Sequence, residues 1–227
     1  MTESKKPGAF ALAKWPILIS LALMLARLGG ELAGLEVMIG DKNLFSTEAG
    51  GGGSPLGMTP LILLFGFVFG WRLTGLRDAP DRPGLAILFY VGGLVALAVP
   101  MWIALGPLGL KVGPQIAPWL GGGSVAALAI SYRAWPAHWK TSFVYAVCTR
   151  LPVVALTFLL VYLDADTHFS KLPPDAEGIE TKMDRAVALS LAQVTFWPVA
   201  TICIGGFFGV VASAVRGRRK DDQLDHA

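Results

Sequence analysis

Six apolar runs recur along this chain at roughly 15–38, 58–76, 84–106, 115–132, 142–163 and 186–214, each near the length a helix needs to cross a hydrocarbon core, although the fourth is short. Backbone groups in lipid must be satisfied within their own segment, so such runs are read as helices and not as an open sheet. The predicted fold is therefore all-α, a polytopic integral membrane protein with six transmembrane helices. Composition agrees: 54% of residues are hydrophobic and 15% charged, against roughly 25% charged in soluble domains. The runs leave no separate water-soluble domain. The chain divides into an N-terminal segment 1–14, a six-helix domain 15–215, and a basic-then-acidic tail 216–227.

Lys5 and Lys6 precede the first run, as they would in a cleaved signal peptide. That run is longer than a signal core of about 7–15 residues and no small-residue cleavage site follows, so it reads as a retained helix. Orientation comes from the basic residues. Lys5, Lys6, Lys14, Arg72, Arg77, Arg82, Arg133, Lys140, Arg216, Arg218, Arg219 and Lys220 fall in segments of one parity; Lys42, Lys111, Lys171, Lys182 and Arg185 fall in the other. The positive-inside rule then predicts cytoplasmic N- and C-termini; the general look of the sequence, apart from that rule, suggests a bacterial inner (plasma) membrane. Trp15, Trp71, Trp135 and Trp139 mark the predicted inner boundary and Trp102 and Trp119 the outer one, where amphipathic rings belong. Trp197 alone lies inside a run.

Charges within the runs are what hydrocarbon should not tolerate. Arg27 follows Trp15 by about 18 Å of helix, which predicts a place near the midplane, and Glu31 is one turn further on the same face. With the base first, the pair is in the poorer of its two orders, so Arg27 needs a further partner. Arg150 lies in the fifth run ahead of Pro152, and Gln193 and Thr195 lie in the sixth ahead of Trp197 and Pro198. A charge at this depth costs at least about 2.5–3.5 kcal/mol and usually faces a bundle interior or an aqueous cavity. Arg27, Glu31, Arg150, Gln193 and Thr195 are thus the candidate binding cluster, with one net positive charge. The alternative is architectural: an internal Arg27–Glu31 bridge, with Arg150 reaching along its own helix.

Other features carry less. The loop from Asp41 holds a run of four glycines and reads as a mobile connector. In the acidic loop from Asp164, the alternation of Asp164, Asp166 and His168 is a weak candidate for a divalent cation; a solvated acidic loop is the plainer expectation, and no metal is assigned. Cys148 and Cys203 sit in apolar runs and read as small buried hydrophobes. Gly29–Gly30, Gly92–Gly93, Gly205–Gly206 and the triplet Gly121–Gly123 allow close helix approach, and the triplet either interrupts the fourth helix or serves packing. His138, His168 and His226 are all expected in loops or the tail, which argues against haem. No Walker loop, dinucleotide fingerprint, HExxH or GxSxG motif occurs, so no cofactor is expected.

The expected role is a small permease or channel-like protein passing a polar or anionic small solute through a cavity between helices one, five and six. Two alternatives stay open: a non-catalytic accessory or assembly subunit of a larger membrane complex, and an intramembrane enzyme acting on a lipid-linked substrate. The last rests on a single carboxylate for acid–base work, so a non-enzymatic role is favoured. Expected partners are the lipid bilayer, a small anionic solute or lipid headgroup, and a second copy or larger membrane complex; nucleic acid is not expected.

Overall fold

The computed structural model describes residues 6–51, 54, 57, 59–174 and 176–225, excepting the side chains of 218–225. Gly52 and Gly53 of the glycine run, Asp175, His226, Lys5 and the side chains of Arg218, Arg219 and Lys220 therefore lie outside the described residues. The helices are α1 (Ala9–Leu32), α2 (Thr59–Gly75), α3 (Pro83–Leu105), α4 (Ala117–Tyr132), α5 (Pro136–Tyr162), α6 (Lys182–Val194) and α7 (Phe196–Asp225). In the first long loop β1 (Met38–Ile39) pairs antiparallel with β2 (Lys42–Asn43). α7 packs against α2, α3, α4, α5 and α6, while α1 lies against α5 and α2.

Among the described residues, four stretches are long and apolar enough to cross a membrane: α1, α3, α5 and Lys182–Gly217, the last containing α6 and most of α7. α2 is a shorter apolar helix of 17 residues and α4 has 16, or about 24–26 Å against a core of roughly 30 Å. Burial also follows a membrane pattern. Leu18, Leu25, Leu88, Val125, Leu151 and Leu159 face outward, while Ser20, Arg27, Glu31, Thr149, Arg150 and Thr157 are buried. In lipid nothing drives apolar side chains inward, and polar ones seek partners inside the bundle.

Three expected boundaries need correction. α1 starts and ends six residues earlier than the apolar run. Its end is set by Gly34, whose φ of +63° suits glycine, with Gly34 N–H donating to Glu31 O (3.1 Å) and Leu35 N–H to Gly30 O (2.9 Å); this is a Schellman stop. Hydropathy read through it because Leu35, Val37 and Met38 keep the run apolar. α5 begins at Pro136, a residue suited to the first turn, so His138 is not in a loop but fully buried in the helix. The sixth run breaks at Thr195, just before Pro198, into α6 and α7. α4, by contrast, runs unbroken through Gly121–Gly123.

The tightest contact is a seam between α2 and α7. A Cβ on Gly66 would overlap the Cα and carbonyl of Gly205, and one on Gly70 would overlap Gly209. Both partners sit four residues apart in the same direction, so the helices run parallel, as in a GxxxG crossing. His138 closes the seam: its Nε2 lies 3.1 Å from Gly66 O and its Nδ1 3.2 Å from Ser142 Oγ. A carbonyl only accepts, so Nε2 carries the proton and Nδ1 accepts from the serine. Phe69, Tyr90 and Trp135 surround the ring. Trp135 is itself buried and donates to Asp78 (3.1 Å), so it does not face a headgroup zone.

Candidate functional site

The long loops gather at the end of the bundle where α1 and α5 finish. Thr167 is fully buried there, and Ser170 Oγ donates to Ala165 O (2.5 Å), so the segment after α5 folds compactly. Its continuation bonds the loop before α4, with Glu177 N–H donating to Val112 O (3.1 Å). Lys182 donates to Tyr162 O (3.2 Å), which sets α6 antiparallel to α5. The α6 start is fixed by a capping box: Thr181 Oγ1 accepts from Asp184 N–H (3.1 Å) while Asp184 accepts from Thr181 N–H (3.0 Å).

Arg27 is five residues from the end of α1, about 7.5 Å. It is not at mid-helix, because α1 is displaced toward the N-terminus relative to the apolar run. Its Nε donates to Glu31 Oε1 (2.8 Å), and Nη2 donates to Ser46 O (3.2 Å) in the β1–β2 loop region. Thus the unfavourable order of the pair is offset by a backbone acceptor from another segment. Glu31 is buried and fully engaged: Oε1 also faces His168 Nδ1 at 2.5 Å, and Oε2 accepts from His168 N–H (3.1 Å). His168, expected in a solvated loop, is folded back onto α1.

Arg150 lies about 18 Å down α5 from its loop end. Nη1 donates to Gln193 Oε1 (3.1 Å) in the last turn of α6, and the guanidinium lies over the Trp197 ring, 4.8 Å from its centre. The side chain is 6% exposed, its Nε has no acceptor, and among the described residues no carboxylate pairs with it. Leaving a buried charge without its counter-charge costs about 3–5 kcal/mol. A cation–π contact returns about 0.5–2 kcal/mol, which does not cancel that.

Between these two arginines lies a cavity of about 310 Å³, at the small end of the range for ligand pockets. α1, α5, α6 and the start of α7 wall it, and the long loops roof it. Arg27, Arg150, Gln193, His168 and Lys171, with the hydroxyls of Thr59 and Thr157, supply its polar lining; Met24, Val153, Leu189, Ala192 and Trp197 are among its other walls. Lys171 in the roof donates to Thr47 Oγ1 (3.0 Å) and pairs with Asp166 (2.6 Å). Beneath Arg150 the helices pack closely: Ser20 Oγ and Tyr145 OH are hydrogen-bonded (2.7 Å), and Phe65 and Phe69 set their edges on the Tyr145 ring.

Of the candidate residues, Arg27, Arg150 and Gln193 line one cavity, and Glu31 orients Arg27 from behind. Thr195 stands apart, donating to Leu191 O (2.6 Å) at the helix break. Asp164, Asp166 and His168 do not converge, since they bond to Lys182, Lys171 and Glu31 respectively. No group of three metal-ligating side chains occurs among the described residues. Cys148 and Cys203 are free thiols, Cys203 buried. Lys171 in the roof and Trp197 under Arg150 were not singled out by sequence. Trp197 did carry a signal, as the one tryptophan placed away from a membrane boundary.

No protein-family model, curated protein or solved structure matches the chain.

Proposed function

We propose that this chain is a six-pass membrane carrier for a small anionic solute, with both termini cytoplasmic and the solute held in the cavity between α1, α5 and α6. One observation carries the reading: Arg150 is buried on that cavity and, among the described residues, no carboxylate balances it. A solute anion supplies the missing counter-charge, with the charge-assisted hydrogen bonds that guanidinium makes best.

The six-pass reading takes α2 and α4 as short crossings, accommodated by local thinning of the bilayer. Lys and Arg are concentrated in the segments that join α2 to α3 and α4 to α5 and at both termini, which supports cytoplasmic ends. Close packing around Tyr145 beneath Arg150 favours a carrier that alternates over a standing channel. An accessory subunit held together by Arg27 and Glu31 accounts for that pair but leaves Arg150 unexplained. The enzyme reading has the least support, because the carboxylate it requires is already holding Arg27 and His168.

Flux of radiolabelled small anions into proteoliposomes tests the proposal. Arg150→Gln should lower saturable uptake at least tenfold while leaving the detergent-solubilised protein monodisperse. Uptake at the unaltered rate in a folded Arg150→Gln protein would end the carrier reading.

A further inference from the structure

The charges around the cavity nearly cancel, and what remains says how much charge the ligand brings. Arg27 is matched by Glu31 at 2.8 Å and Lys171 by Asp166 at 2.6 Å. Arg150 has no such partner among the described residues and, with His168 counted as neutral, leaves one positive charge on the cavity wall. A monoanion brings this to neutrality. A dianion would leave a buried negative charge, with the same kind of penalty in the opposite sense.

The walls say what the rest of the ligand is. Met24, Val153, Leu189 and Ala192 offer no hydrogen bonds to a fully hydrated oxyanion, which would lose several water contacts on entering, and Trp197 has only its one indole N–H to give. Of the charged donors on the cavity, Arg27 is already held by Glu31 and Ser46, and Lys171 in the roof by Asp166 and Thr47, whereas Arg150 has only Gln193. The Arg150 guanidinium has its face on Trp197 and one Nη on Gln193, while Nε on its edge lacks an acceptor. That edge is the one with which a planar guanidinium pairs a carboxylate.

From these features we infer that the ligand is a monocarboxylate with a compact apolar body, its carboxylate on Arg150 and its body against Trp197, Leu189 and Ala192. This rests on the reading of the cavity as an anion site and narrows it. Sulfate and other multiply charged anions are disfavoured by charge, and phosphate, in part a monoanion at neutral pH, by the apolar walls.

The probe is 4-fluorobenzoate, followed by ¹⁹F line broadening on the purified full chain in a non-ionic detergent. Saturable broadening is expected, displaced by hexanoate and unaffected by equal inorganic phosphate, with 4-fluorobenzamide giving none. Arg150→Gln should weaken binding at least tenfold, and Ala192→Trp, which fills the cavity without touching the charge, should abolish it. If phosphate displaces the probe as well as hexanoate does, or binds when the benzoate does not, the carboxylate inference fails while the anion reading stands. If the neutral amide binds equally, or no anion binds saturably, both fail. Unchanged binding in Ala192→Trp removes the ligand from this cavity and also overturns the inference.

Discussion

Glu31 Oε1 lies 2.5 Å from His168 Nδ1, and its other oxygen accepts the His168 backbone N–H at 3.1 Å. A carboxylate in the last turns of α1 therefore fastens the roof segment that follows α5. The same oxygen accepts from Arg27, so one side chain serves both the wall and the roof of the cavity.

Removing that carboxylate should loosen both. Glu31→Ala is expected to destabilise the protein by about 3–5 kcal/mol, since it takes from Arg27 and His168 a fully buried partner. Thermal unfolding in detergent measures the loss, and amide hydrogen exchange should accelerate across 164–174. Glu31→Gln, which keeps an acceptor, should fall between. Unchanged exchange in Glu31→Ala would show that the roof is held elsewhere.

The glycine seam predicts a sharp contrast between positions of one residue type. Gly66→Ala and Gly70→Ala place a methyl group into the backbone of α7 and should each cost about 1–3 kcal/mol through overpacking. Gly121→Ala and Gly122→Ala meet no atom within 4 Å and should be neutral or mildly stabilising. Equal melting temperatures across the four variants would contradict the seam.

Gln193 holds Arg150 at 3.1 Å and so sets where the guanidinium points. Hydrogen bonds to charged groups contribute about 1.5–3 kcal/mol, so Gln193→Ala should weaken anion binding roughly tenfold or more. Gln193→Glu should do more harm, because it supplies the counter-charge internally and competes with the solute. The ¹⁹F titration reads both, and tighter binding in Gln193→Glu would refute the assignment of Arg150.

Threading and cavity access can be tested together with thiol labelling, once Cys148 and Cys203 are replaced by alanine. Cysteine at Glu48 should react with a membrane-impermeant reagent from the outside and cysteine at Arg133 only after the membrane is opened, both positions being exposed. Cysteine at Ala192, on the cavity wall, should label from the outside and be protected by benzoate. Cysteine at Ser20, which is buried in the Tyr145 contact itself, should not label. Labelling of the Glu48 and Arg133 variants from the same side would overturn the threading.

Hydropathy located the helical stretches because lipid selects on length and apolarity, both of which sum over many residues. It misplaced the end of α1 because a single backbone conformation at Gly34 decides it, against four more residues, 35–38, of mostly apolar chain. The α2–α7 seam was half visible: Gly205 was noted for its neighbour Gly206, whereas the four-residue spacings Gly66–Gly70 and Gly205–Gly209 carry the packing. Arg27, Arg150 and Gln193 stood out as polar residues in apolar runs, and they do line one cavity. Lys171 did not, and His168 stood out only as a weak cation ligand, since nothing local in a polar loop tells that His168 folds back onto a carboxylate 137 positions away.

The α2–α7 seam joins the second helix to the last. As the chain leaves the ribosome and enters a membrane, α2 waits with its glycine face unmatched until almost everything else has been synthesised. Completion of the bundle is thus a late event, and a chain stopped short of α7 has no substitute for the partner it lacks.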